Sequence, residues 1–241
     1  MLLTTESNNR FPVWSPDGQW VFFTSDRSGN YDIWKRRADR SLDAELVLDT
    51  EADVQPSSIS ADGERLLFNS GLFPNRDVGI LALDTDQEPE MLVATAADEL
   101  QGSFSPDGHF FAFESNETGH REVTVRELSS GRTFPVSTST RGGVDPRWSR
   151  DGTEIYYRSR IGSGILVAEV AMEPFSASDP LELLDIIHRS GVHFDVTADG
   201  QRFLVTVPVD SGHTGDTAPG ARINVVLNWF EELKQRVPTG R

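Results

Sequence analysis

One short phrase recurs through this chain: an apolar residue, a hydroxyl, one variable residue, then Asp-Gly. Its five copies are Trp14-Ser15-Pro16-Asp17-Gly18, Ile59-Ser60-Ala61-Asp62-Gly63, Phe104-Ser105-Pro106-Asp107-Gly108, Trp148-Ser149-Arg150-Asp151-Gly152 and Val196-Thr197-Ala198-Asp199-Gly200. The aspartates stand 45, 45, 44 and 48 residues apart. A fixed period of that length marks a repeat architecture, in which one supersecondary unit packs on copies of itself. Asp-Gly between two apolar runs is a hairpin signal, because glycine accepts the positive φ that a tight turn demands. The Ser or Thr two residues ahead of each Asp is placed to bond turn backbone groups.

Each unit supplies further strand-like runs. After the turns come Gln19–Ser25, Glu64–Ser70, His109–Ser115, Thr153–Ser159 and Gln201–Val207, rich in β-branched and aromatic residues. Third strands are predicted at Tyr31–Lys35, Gly79–Leu83, Glu122–Leu128, Ile165–Val170 and Ile223–Leu227. Fourth strands are predicted at Glu45–Leu48, Glu90–Val93, Thr133–Val136 and Leu181–Leu184. Four antiparallel strands per unit is the blade of a β-propeller, and mostly apolar strands suit blades buried on both faces. A β-sandwich is the rival architecture, but it does not require one unit five times over.

The expected fold is therefore all-β: a propeller of four-stranded antiparallel blades at about residues 11–50, 56–95, 101–138, 145–185 and 193–228. The last unit lacks a fourth strand, and Leu2–Thr5 resembles one. Pairing of that segment beside Ile223–Leu227 would close the ring and hide two sheet edges; alternatively, the chain is a piece of a larger ring. A helical tail is predicted over 229–241, with Trp229, Leu233 and Arg236 on one face, and Val209–Ala221 reads as a loop.

Composition narrows the function. The chain has 241 residues, 22 Lys and Arg against 38 Asp and Glu, and a net charge of −16. Such a surface repels phosphate backbones and anionic lipid, so neither nucleic acid nor a membrane is an expected partner. Cysteine is absent, which removes disulfides and thiolate metal sites. Residues 1–6 do not form a signal peptide, and no apolar run is long enough to cross a membrane. The compartment stays open.

The residues Phe11–Gly18 followed by Phe23–Trp34 resemble the TolB-type, WD-repeat-like propeller repeat, and this resemblance covers nearly the whole chain. Ser115–Val123, Pro146–Gly152, Phe194–Leu204 and Ile223–Lys234 resemble a narrower group, the carboxy-terminal propeller of bacterial eukaryote-like serine/threonine kinases. That resemblance implies a sensing or binding propeller joined to a kinase domain, often through a membrane segment. The chain departs from both patterns. TolB-type rings commonly have six blades against five counted here, and the Gly-rich loop, His-Arg-Asp and Asp-Phe-Gly of a kinase are missing, so kinase activity does not carry over.

Chemistry-bearing residues are sparse. A Gly-x-Ser-x-Gly elbow is absent, and Ser163 reads as a hairpin tip. His109 follows a turn glycine and should be solvated. His188, His193 and His213 with Asp195 would suit zinc or manganese if brought together, but residue types alone make a weak case, and no cofactor is expected. A non-catalytic binding module for a protein or peptide is the expected function, with a metal-dependent lyase or hydrolase as the alternative.

Alternating strand direction puts the second-to-third loops and the blade crossovers together around the channel mouth. Those segments hold Asn9, Arg10, Arg27, Gln55, Arg76, Gln101, His120, Arg141, Asp145 and His193, the predicted binding residues, with Asn30, Phe73 and Arg160 nearby. Trp14, Trp148 and Phe104 are predicted to be core.

Overall fold

The Asp-Gly turns are built from their own side chains. Ser15, Ser60, Ser105 and Ser149 donate through Oγ to Oδ1 of the turn aspartate at 2.5, 2.5, 2.6 and 2.7 Å. Each Oγ also accepts the N–H of the residue opening the next strand, Trp20, Arg65, Phe110 or Glu154, at 2.9 Å. The turn glycines sit at φ of +69°, +78°, +69° and +74°, where a side chain would strain the backbone. A repeated sequence thus gives a repeated turn, with the serine bonding as its position implied.

The computed structural model describes residues 7–137, 140–161, 164–185, 193–197, 200, 202–206 and 224–226. Around the turns, five antiparallel sheets follow one another. The first is β1 (Asn9–Trp14), β2 (Trp20–Ser25), β3 (Asp32–Arg37) and β4 (Glu45–Leu48), in that spatial order. The second is β5 (Val54–Ile59), β6 (Arg65–Ser70), β7 (Asp77–Ala82) and β8 (Glu90–Val93). The third is β9 (Leu100–Phe104), β10 (Phe110–Ser115), β11 (Glu122–Glu127) and β12 (Thr133–Pro135). The fourth contains β13 (Val144–Trp148), β14 (Glu154–Arg158) and β15 (Gly164–Met172), which pairs with both β16 (Phe175–Ala177) and β17 (Leu181–Asp185). The fifth comprises β18 (His193–Val196), β19 (Phe203–Thr206) and β20 (Asn224–Val226).

First strands pack on first strands, β1 on β5, β5 on β9, β9 on β13 and β13 on β18, so the sheets are stacked in sequence order as blades. Apolar clusters fill the spaces between them. Phe22, Ile33 and Leu48 meet Val54, Leu66 and Phe68, while Leu67 and Val78 meet Phe104 and Phe111. Val123 and Val125 meet Ile155 and Tyr157, and Tyr156 and Ile165 meet Phe194 and Phe203. The second strands β6 and β10 are buried almost throughout, as a sheet covered on both faces requires. This is the β-propeller and excludes two flat layers. Among the described residues there is no helix, hence none long and apolar enough to cross a membrane.

Two features differ from the sequence reading. Hairpin strand β16 was not predicted: β15 overruns to Met172, and Phe175 then packs on Phe110 and Phe134 at centroid distances of 5.6 and 4.8 Å. Trp14, predicted to be core, is 53% exposed. In the third blade the same position, Phe104, is covered by the blade before it, whose Arg65 guanidinium lies 5.3 Å over the ring. The proposed closing strand Leu2–Thr5, the tail helix, the loop over 209–221, His188, His213 and Ser163 lie outside the described residues.

Candidate functional site at the channel mouth

The end of the blades opposite the Asp-Gly turns is organised by a bulge in each of the first four inner strands. The ladder shifts between Arg10 and Val13, Pro56 and Ser58, Leu100 and Ser103, and Val144 and Arg147. At the bulges Phe11, Gln101 and Asp145 take φ of +52°, +59° and +56°. Left-handed backbone at a non-glycine residue costs about 1–2 kcal/mol, and a bulge re-aims the side chain it carries. Pro56 holds the corresponding position in the second blade, where its ring forbids positive φ.

A bulge takes a main-chain N–H out of the ladder, and a buried N–H needs another acceptor. The preceding blade provides it. Gln101 N–H donates to Asn69 Oδ1 at 3.1 Å, and Asp145 N–H to Glu114 Oε1 at 2.8 Å. Asn69 and Glu114 are the penultimate residues of β6 and β10, polar groups at a fixed place in otherwise apolar strands. Thr24, at that place in β2, donates to the Val54 carbonyl at 3.1 Å, and Arg158 in β14 donates through Nε to Asp145 Oδ2 at 2.7 Å.

From these ties grows an ion-pair chain across three blades. Fully buried Asp98 accepts from Arg76 Nε and Nη2 at 2.9 and 2.8 Å, from the Arg76 backbone N–H at 3.1 Å, and from Arg121 Nη2. Arg121 Nη1 also reaches Glu114 Oε2 at 3.2 Å. Burial pushes the Asp98 carboxyl up, but Arg76 and Arg121 prevail and hold it down at about 2. Glu114 goes the other way. It is 4% exposed, and burial together with the Asp145 charge raises it to about 7, against the pull of the Asp145 N–H, Arg121 and Arg158.

Arg76, Gln101, Glu114, Arg121, Asp145 and Arg158 line a cavity of about 490 Å³ that also takes in Leu100, Arg160 and His193, with Asp98 buried behind it. Of the predicted binding residues, it brings together Arg76, Gln101, Asp145 and His193, with Arg160 beside them. The others lie elsewhere. Arg27 is committed to packing, its guanidinium 4.7 Å over Trp34 and donating to Ser25 Oγ and Asn9 Oδ1. Arg10 lies 5.2 Å over Tyr31, and Arg141 pairs with Glu182 at 2.5 Å. Gln55 sits in β5, Asn9 begins β1, and His120 is exposed just ahead of β11. Asp98, Glu114, Arg121 and Arg158 were missed by sequence reasoning. The periodic polar residue in the second strand would have found Glu114 and Arg158. No group of three metal-ligating side chains occurs among the described residues.

The loops feeding this cavity carry bare apolar side chains. Leu72 and Phe73, on the loop that ends at Arg76, are 68% and 72% exposed, and Ile161, next to Arg160, is 60% exposed. Arg76 lies 5.8 Å from the Phe73 ring centroid, so the apolar rim and the charged floor adjoin.

No protein-family model matches the chain. An uncharacterized protein of Agrobacterium fabrum is 47% identical over 36 residues, a match covering 15% of this chain and 12% of that protein. By structure the chain is similar to TolB from Acinetobacter baumannii, with a TM-score of 0.62 and 20% identity over 85% of this chain and 52% of that one. It is similar to an oligogalacturonate lyase in complex with manganese, with a TM-score of 0.62 and 14% identity over 84% and 59% of the two chains. It is also similar to a nidogen/laminin complex, with a TM-score of 0.60 and 6% identity over 83% and 76%. The chain spans about half the length of the Acinetobacter TolB. These likenesses bear on architecture, and with the stacked blades and the repeated turns they place the chain's fold: it is a TolB-like β-propeller.

Proposed function

We propose that the chain is a non-catalytic interaction module that docks a protein or peptide on its channel-mouth face. The observation that carries this reading is the juxtaposition of exposed Leu72, Phe73 and Ile161 with an arginine-lined cavity on loops held by rigid blades. Apolar side chains left bare beside desolvated arginines are the usual anchors of a protein interface. Likeness to TolB and to a nidogen/laminin complex supports it. The resemblance to kinase-linked propellers supports a role for such docking in the sensing step of a kinase system.

The test is a pull-down with the wild-type chain and with Phe73→Ala/Arg160→Ala. Both side chains are exposed, and Arg160 takes part in none of the ion pairs among the described residues, so the melting curve should not move. A specific partner retained by the wild type should be lost by the double variant. Equal retention by both would remove the mouth as the docking face.

A metal-dependent lyase or hydrolase is the second reading, supported by the likeness to a manganese-bound lyase and by His193 in the cavity. One tightly held metal equivalent in purified protein, lost on His193→Ala, would favour it.

A further inference from the structure

The opposite end of the molecule carries a second cavity, and the repeat itself says what fits there. Where one blade meets the next, the preceding blade presses a side chain against the turn glycine. A Cβ on Gly108 would stand 2.5 Å from Arg65 Nη2, one on Gly200 would stand 2.8 Å from the Tyr156 hydroxyl, and one on Gly152 would meet Pro106 at 3.6 Å. Gly63 differs: a Cβ there meets nothing within 4 Å. Between blades one and two the notch is open, and a cavity of about 460 Å³ lies there.

The filled notch between blades two and three shows how such a space is occupied. Arg65 reaches across it, donates through Nη2 to the Gly108 carbonyl at 3.2 Å, lies over Phe104, and stands 3.7 Å from the Asp62 carboxylate. One repeat earlier the corresponding residues are Trp20 for Arg65, Gly63 for Gly108, Ile59 for Phe104 and Asp17 for Asp62. The receiving parts are kept, a turn carbonyl, an apolar wall and a carboxylate, while the arginine is gone. Lys35 lies in the notch with its ammonium 5.0 Å over the Trp20 ring, but it pairs with Asp84 at 3.3 Å and Glu45 at 3.8 Å rather than with the Gly63 carbonyl.

We propose that the notch between blades one and two is a docking site for an arginine side chain presented by a partner protein. The methylene stem lies on Phe22, Ile59 and Leu83, and the guanidinium meets the Gly63 carbonyl and the carboxylates of Asp17 and Asp62. Asp17, Asp62 and Asp84 line the rim; Lys35 pairs with Asp84 and Arg65 stands near Asp62, which leaves Asp17 outside the ion pairs among the described residues, and on a chain of net charge −16 the field favours a cation. A guanidinium rather than an ammonium is selected because its planar fork can donate to a carbonyl and a carboxylate at once, as Arg65 does one notch along. The site is independent of the channel mouth, at the other end of the strands.

The test is titration of the full chain with acetyl-Gly-Arg-Gly-amide, following the Gly63 amide resonance. Saturable binding is expected, with the citrulline analogue at least about tenfold weaker, or about 1.4 kcal/mol. Trp20→Arg supplies the missing plug in cis and should abolish binding. Ala61→Trp, a change at an exposed rim position, blocks the notch from outside and should do the same should Trp20→Arg not fold. Arg160→Ala, at the mouth, should leave binding unchanged. Absence of saturable binding, equal affinity for the citrulline peptide or for a Gly-Trp-Gly peptide, or retention by Ala61→Trp would each overturn the proposal.

Discussion

The two ends of the blades satisfy their polar groups in opposite ways. At the Asp-Gly end the bonds that define each turn come from serine, aspartate and backbone of one unit, and a neighbour adds only a lateral contact such as Arg65 on the Gly108 carbonyl. At the mouth the bonds run between units, with Asp98, on the crossover, held by Arg76 of one blade and Arg121 of the next, and with Glu114 accepting from Asp145 of the following blade. A turn whose defining bonds are its own can repeat whatever side chain the neighbouring blade lays against it. A network that crosses blade boundaries ties their relative positions to the charge state of a few buried groups, which makes the mouth the end able to respond to a ligand.

That contrast can be broken most directly at Asp98. Replacing it by alanine leaves Arg76 and Arg121 facing each other without their shared anion, and loss of one partner in a buried pair costs about 3–5 kcal/mol. The urea midpoint should fall accordingly; a loss of the size seen at an exposed salt bridge would mean the network is ornamental. Glu114 gives the next largest effect. Its folded value lies above the ordinary 4.5, so the folded state holds the proton more tightly than the unfolded chain. The stability it contributes is complete below about pH 4.5 and is lost as pH rises to about 7, up to about 3 kcal/mol in all. Glu114→Gln should flatten unfolding free energy against pH across that window while keeping an acceptor for the Asp145 N–H.

The turns should behave uniformly. Ser60→Ala, Ser105→Ala and Ser149→Ala each remove one side-chain acceptor and should each cost about 1 kcal/mol, agreeing to within a few tenths in denaturant titrations. A wide spread would show that these turns are coupled across blades after all. The smallest effect is expected at His120, exposed on its loop, where alanine should change stability by less than about 0.5 kcal/mol.

Much of the fold was legible because turn chemistry and strand composition are local. Glu45–Leu48 and Glu90–Val93 could be read to the residue since each run is apolar and bounded by breakers. Strand β16 could not, because Phe175-Ser176-Ala177 forms only when Phe110 and Phe134 are there to receive Phe175. At the site, topology predicted which segments gather at the mouth, hence Arg76, Gln101, Asp145 and His193 in one cavity. It could not separate Arg27, held on Trp34, from an arginine open to a ligand. Asp98 was overlooked for the same reason: nothing local distinguishes it among 38 acidic residues, and its role depends on arginines 22 and 23 positions away.

The inner-strand bulge limits how far these blades are interchangeable parts. Each displaced amide at Gln101 and Asp145 is served by a side chain belonging to the unit ahead of it, Asn69 and Glu114. Transplanting a blade, or duplicating one to enlarge the ring, would therefore strand a main-chain donor at the new seam unless the adjoining strand changed with it. Growth by copying modules is in this sense constrained two blades at a time.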